Sequence, residues 1–420
     1  MLIGASTNRV LHLTVRFVTI PGVLVSPMKL SRPLAFTALV LVLFTVRVPP
    51  VGAANAPVVY VSPTGDDANG TGSAASPYKT IAHAVATVDA GTTVVLEPGT
   101  YPTMVELVKR ITVESNGDQP NAAAATIIDA TNQPRGVWIH GSAAAGAVVR
   151  GLTVKNANGS GILVADTTRV VVENNLVTDN ALQPGGPPPD YAVMAENKAI
   201  QLQGTDGVIV QNNTVTDNKH GGIAVLDSSH HPALDNRVAG NLISGNQGDC
   251  GVVLASYVPG QGVQKNVVEK NVVKGNVAGI VVAADPVGTT ATDNVVTGND
   301  IEGNQLPGVI VHSNAKGQIV SGNVVSDNTI AGNGSDPGVN LHDTTGIAII
   351  GAVDPVTNTR LQNNTIHDER VSVWQYNPRP TSPSPLSNLF RGTRALLVVG
   401  AAAIAVLLVI VGIGRLPAKG

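Results

Sequence analysis

From residue 136 onward the chain repeats a four-residue apolar step, a small residue followed by branched side chains at alternate positions. It reads "GVWI" at 136, "GILV" at 161, "AIQL" at 199, "GIAV" at 222, "GVVL" at 251, "GIVV" at 279, "GVIV" at 308 and "GVNL" at 338. Between these steps lies a second pattern, N-x-[VI]-x-x-N, at Asn175/Asn180, Asn213/Asn218, Asn241/Asn246, Asn271/Asn276, Asn299/Asn304 and Asn328/Asn333, with a degenerate copy at Asn364 and Glu369. The stretch "NVVEKNVVKGN" sets Asn266, Asn271 and Asn276 five apart. Five residues are ~1.4 turns of a helix, which scatters the side chains over different faces. In a strand an odd step flips the side chain to the other face. The chain is therefore predicted to turn at each asparagine, with short strands between.

The first asparagines of successive pairs are 28 to 30 residues apart from Asn213 to Asn328, a period with insertions elsewhere. No such unit buries its apolar face alone; stacked units close a continuous core and pair their backbones with the coils above and below. Asparagine at one corner of every coil tolerates left-handed backbone geometry, and its amide can bond the next asparagine in the stack. The prediction is an asparagine-laddered β-solenoid. A leucine-rich repeat, the main rival, needs leucine-dominated units, whereas Val and Ile dominate here. Composition agrees: 43% of residues are apolar but only 3% aromatic, and 45 of 420 are glycine, as thin strands and tight turns require. A net charge of −3 leaves no basic footprint for nucleic acid. The single cysteine, Cys250, excludes an intrachain disulfide.

Upstream, "YVSPTGDDANGTGSAASPYKTIAHAVATVDAGTTVVLEPGTY" at 60–101 suits a cap over residues 57–104. Ser76 is placed to N-cap a short helix with Pro77 in its first turn and Ile81, Ala84, Val85 and Val88 as its apolar stripe. This stretch, with the asparagine coils behind it, resembles the pectin-lyase-like superfamily, whose members often open with such a sequence. The resemblance covers roughly residues 58–375. It implies an all-β, right-handed parallel β-helix over residues 105–375. For function it implies several classes, because the superfamily holds polysaccharide lyases, glycoside hydrolases, uronate epimerases, copper-insertion accessory proteins and non-enzymatic surface proteins.

Both ends point to membrane handling. Lys29 and Arg32 precede "PLAFTALVLVLFTV", and the small residues of "VGAANA" follow, the order of a secretory signal within residues 1–54, with Met28 as its expected start. Residues 376–394 are a Pro/Ser-rich stalk. Residues 395–414 are uncharged, ~30 Å long as a helix and sufficient to cross a bilayer. Residues 415–420 would then be a cytoplasmic tail. The expected location is the cell membrane, single-pass, with the body outside.

If the branched residues of each step point inward, the outward pairs are Trp138/His140, Leu163/Ala165, Gln201/Gln203, Ala224/Leu226, Val253/Ala255, Val281/Ala283, Ile310/His312 and Asn340/His342. The middle of this face is apolar and its ends are polar. Superfamily lyases use an outward Lys, Arg or Tyr base, often with Ca²⁺, and these columns hold none of the three. Asp166, Asp227 and Asp343 share the next column but are interrupted by Ser256, Ala284 and Ser313, so a Ca²⁺ site there lacks a compact carboxylate group. No other metal or cofactor is implied. The catalytic candidates are His312, His342 and Asp343, with Asn340 beside them as a binding residue, because a histidine pair with an aspartate suits general acid/base work. The epimerase motif D-P-H-D is broken in "SDPGVNLHD". The insertion at 181–198 is a natural cover for the apolar middle and adds Asp190, Tyr191 and Lys198 as binding candidates. The reading that follows is a membrane-anchored β-helix that binds polysaccharide or another cell-surface component. Its alternatives are a carbohydrate-active enzyme with a site near His312/His342 and an accessory factor for an extracytoplasmic enzyme or transporter.

Overall fold

A computed structural model of the chain describes residues 56–117, 122–183, 197–335 and 345–377. The expected signal region and the segment 395–414 lie outside these residues, among which no helix is long and apolar enough to cross a membrane. The described strands form parallel sheets of eleven, ten, ten and four strands. Each coil visits them in a fixed order. The coil that holds "NVVEKNVVKGN" runs Val252–Ser256 (sheet 2), Val263–Gln264 (the four-stranded sheet 4), Val267–Glu269 (the eleven-stranded sheet 1) and Val272–Lys274 (sheet 3) before returning to sheet 2 at Ile280–Ala284. Val-rich strands of two to five residues suit this path, because β-branched side chains pack on a pleated surface while Gly, Asn and Asp make the corners. Ile280, Val282, Val309 and Val311 all lie in the core, as the alternation predicts.

The five-residue asparagine spacing marks three corners of one coil, each with its own ladder. Asn271 accepts at Oδ1 from both the backbone N–H and the side-chain amide of Asn241, each at 2.9 Å. In turn its own N–H and amide donate to Asn299 Oδ1 at 3.0 and 2.9 Å, and its amide also reaches Val238 O at 3.0 Å. The ladder through Asn276 repeats this and ends on Glu369, whose Oε1 takes the last asparagine position by accepting from Asn333. A third ladder, Asn236, Asn266, Asn294 and Asn323, exists only where sheet 4 adds an extra corner. The left-handed residue is not the ladder asparagine but the one before it: Lys270 has φ 54°, Asp217 59° and Gly275 64°. That residue makes the turn, which leaves the asparagine side chain directed inward along the stack.

Two further features differ from the sequence reading. The helix is Ile81–Thr87, N-capped by Thr80 through its bond from His83 N–H, and Ser76 is outside it. Tyr78 is held extended by backbone bonds to Tyr60 and Ser62, so helical geometry begins only past it. Ile81, Ala84 and Val85 join the core as expected. The second difference is at the far end: the strand beside Val309–Ser313 is Thr345–Gly351, with Ile347 opposite Val309 and Ile350 opposite His312. Two segments, "GVNL" and "GIAI", fit the step, and the later one, free of polar residues at its outward positions, holds the sheet.

Candidate functional site

The outward columns of sheet 2 follow from its register. One runs Glu106, Trp138, Leu163, Gln201, Ala224, Val253, Val281, Ile310, Ala348 and Trp374; the other runs His140, Ala165, Gln203, Leu226, Ala255, Ala283, His312, Ile350 and Tyr376. The face has two halves of different chemistry.

At its apolar half His312 is fully buried between Ala283 and Ile350. Asn314 donates its amide to Asp285 Oδ1 at 3.1 Å, which turns Asn314 Oδ1 toward His312 to accept Nδ1–H at 3.1 Å. Nε2 of His312 is buried without a partner. Burial drives the imidazole down to about 4, against the opposing bond to Asn314, and raises the Asp285 carboxyl. The ring is thus a sealed, neutral imidazole. Of its expected companions, Asn340, His342 and Asp343 lie outside the described residues, and the register position read for His342 is held by Ile350. Asp227, in the next column, accepts from Ser256 Oγ at 2.6 Å and Tyr257 N–H at 2.8 Å, and burial pushes its carboxyl up to about 6. Among the described residues no group of three or more His, Cys, Asp or Glu is placed to hold a metal ion.

Of the binding candidates, Asp190 and Tyr191 lie outside the described residues. Lys198 is 4% exposed and meets Asp249, 2% exposed, at 2.5 Å. It crosses Gly221 to do so: a Cβ there would lie 3.1 Å from Asp249 Cβ and from Lys198 Cδ. Asp249 Oδ1 also accepts the Cys250 N–H at 2.7 Å. Burial lowers the nearby His220, reinforced by Lys198 and opposed by Asp249.

The open chemistry is at the other half. Trp138 and His140, two apart and therefore on one face, stack with ring centroids 3.7 Å apart at 16°. The Arg135 guanidinium sits 4.6 Å from the indole centroid, within cation–π range. His140 Nε2 is 2.8 Å from Glu106 Oε1, and both side chains are partly open, 28% and 45% exposed. Two coils along, Gln201 donates to Gln203 Oε1 at 3.4 Å, while Gln203 Nε2 and Trp138 Nε1 are buried without hydrogen-bond partners. Glu106 also borders a groove of about 470 Å³ between the helix and the strand Val105–Leu107, lined by Ile81, Val85, Met104 and Lys109 among others. The sequence reading placed Trp138, His140, Gln201 and Gln203 outward but chose the other end for chemistry. The available signal was one of only two tryptophans in the chain standing in an outward column. What made the cluster invisible was Glu106 and Arg135, which join it only through strand pairing and a loop.

Residues 109–296 match the family described as right-handed β-helix region. Among solved structures, an endo-xylogalacturonan hydrolase from Aspergillus tubingensis is 12% identical, with a TM-score of 0.50, covering 76% of this chain and 95% of its own. The fold is a right-handed parallel β-helix. Pectate lyase Pel9A is 16% identical with a TM-score of 0.45, covering 80% of this chain and 85% of its own. An alginate lyase from Paenibacillus sp. is 13% identical with a TM-score of 0.45, covering 69% and 95%. At such identities the likeness is one of fold. No curated protein matches the sequence.

Proposed function

We propose that this β-helix binds polysaccharide, held at the outside of a cell membrane by residues 395–414, with Glu106, Arg135, Trp138 and His140 as the contact surface. The observation that supports it is the division of sheet 2. A stacked indole and imidazole, a guanidinium and a carboxylate are partly open beside a groove, whereas the described histidine of the alternative acid/base site is sealed from water. An amphipathic ring bordered by charged donors and acceptors suits sugar faces and hydroxyls, and Arg135 favours chains carrying carboxylates. The full chain should bind a subset of uronate-containing glycans on an array, and Trp138→Ala or Arg135→Ala should weaken that binding about tenfold or more, the loss of one good polar or aromatic contact. Glycan binding unchanged in both variants, or absent from the wild type, removes the reading.

The enzymatic alternative keeps one supporting observation, the buried unpartnered Nε2 of His312. An assay for unsaturated product run on the same glycans separates the two. Turnover that His312→Ala and His342→Ala together abolish would favour an enzyme, with Asp343 and Asn340 as the next substitutions.

A further inference from the structure

Lys198 and Asp249 form a buried pair that the proposed glycan surface does not use. Lys198 stands just before the sheet 2 strand Ile200–Gln203, and Asp249 just before Val252–Ser256, with Ile223–Leu226 between them in the sheet. Their side chains together span two strand spacings, ~10 Å, and they do so across Gly221 of the intervening coil. That glycine has φ 95°, and a Cβ on it would lie 3.1 Å from both Asp249 Cβ and Lys198 Cδ, so the path is open only because no side chain stands there. The amine and the carboxyl are 4% and 2% exposed, with Nζ 2.5 Å from Oδ2. The other oxygen, Oδ1, accepts the Cys250 N–H at 2.7 Å.

Such a pair is costly to keep charged, because both groups have left water. Burial favours the neutral forms of amine and carboxyl alike, and one proton passed from Nζ to Oδ2 produces both. We propose that the folded chain joins Lys198 to Asp249 by an isopeptide bond. The Nζ lone pair attacks Cγ of Asp249; the N–C bond forms and the C–Oδ2 bond breaks. The oxygen leaves as water, carrying the proton already on it and one more from the nitrogen, so the step consumes no co-reactant. Near-attack geometry asks for ~3–3.5 Å between reacting atoms, and a nitrogen 2.5 Å from one carboxyl oxygen is one C–O bond from the carbon. Charge that builds on Oδ1 in the tetrahedral intermediate meets an N–H already aimed at it, that of Cys250. His220, the neighbour of Gly221, is pushed down by burial and by Lys198; at neutral pH it is an uncharged imidazole and leaves the proton to the pair. The product exchanges two buried charges for one amide. It also fastens the start of Ile200–Gln203 to the start of Val252–Ser256, a covalent clasp over two coils that shortens the reach of the unfolded chain as any cross-link does.

Tryptic digestion of the full-length protein after denaturation and reduction, read by mass spectrometry, tests this directly. With Lys198 blocked, cleavage at Arg169, Lys219, Arg237 and Lys265 should yield residues 170–219 joined to residues 238–265. The joined species should be one water lighter than its two peptides together, with fragment ions placing the link at Lys198 and Asp249. Separate peptides 170–198 and 238–265, with no joined species, overturn the proposal and leave an ordinary buried ion pair. In Lys198→Arg the charge is kept but the amine is gone, and in Asp249→Ala the carboxyl is gone, so the joined species should vanish from both. A link that persists in either variant lies elsewhere and also overturns the proposal. The wild-type digest decides the question even where a variant fails to fold, and its outcome is independent of any glycan binding.

Discussion

His312 donates through Asn314 toward Asp285 and presents a lone pair at Nε2 to a dry surrounding, an arrangement that holds only while the ring is neutral. Its folded value of about 4 is below the ordinary 6.5. Between those values the unfolded chain binds a proton that the folded chain does not, so stability is complete above pH 6.5 and is lost as pH falls toward 4. The full loss from this one group is on the order of 3 kcal/mol. Asp227 acts with the opposite sign: raised from 3.8 to about 6, its folded form keeps a proton that the unfolded form has released, and its contribution declines as pH rises through that window. Denaturant titrations of wild type and His312→Gln at a series of pH values between 4 and 7 should therefore converge toward acid pH, the variant lacking the acid-side loss. Parallel curves would mean that His312 is not sealed.

A ladder asparagine does the work of an element as much as of a residue, since it joins three successive coils. Replacing Asn271 by Ala strips the acceptor from two donors of Asn241 and a donor from Val238 O, all buried. Each buried group left unsatisfied costs about 1–3 kcal/mol, partly relieved by relaxation, so chemical denaturation should show a loss of about 3 kcal/mol for Asn271→Ala. Asn364 is less buried and sits in the terminal coil, and Asn364→Ala should cost clearly less. Equal losses would argue that the ladder acts through turn geometry alone. At this scale the turn signal was legible in dipeptides such as "DN" and "GN", because Asp and Gly are among the few residues that tolerate positive φ, whereas Lys270 adopts φ 54° without that signal.

For the whole molecule, the proposed anchor predicts where the protein is found. In membrane fractions it should resist carbonate extraction, and protease added outside intact cells should release a soluble body by cutting within residues 376–392. Full extraction by carbonate would remove the anchor.

By itself the sequence determined the strands, their inward residues and two of the three ladders. Alternation and a fixed period are local properties that every coil repeats, so errors in one coil are corrected by its neighbours in the stack. Tertiary structure decided what repetition does not specify. Both "GVNL" and "GIAI" fit the repeated step, and strand pairing sets Ile347–Gly351 beside Val309–Ser313, with Ala348 and Ile350 buried. The grouping of Glu106 and Arg135 with Trp138 and His140 depends on strand pairing and a loop that bring side chains together across 34 residues of chain. Lys198 and Asp249 pair across 51 residues over a glycine. In each case the deciding contact joins residues whose separation along the chain carries no period, and only the stacked backbone makes them neighbours.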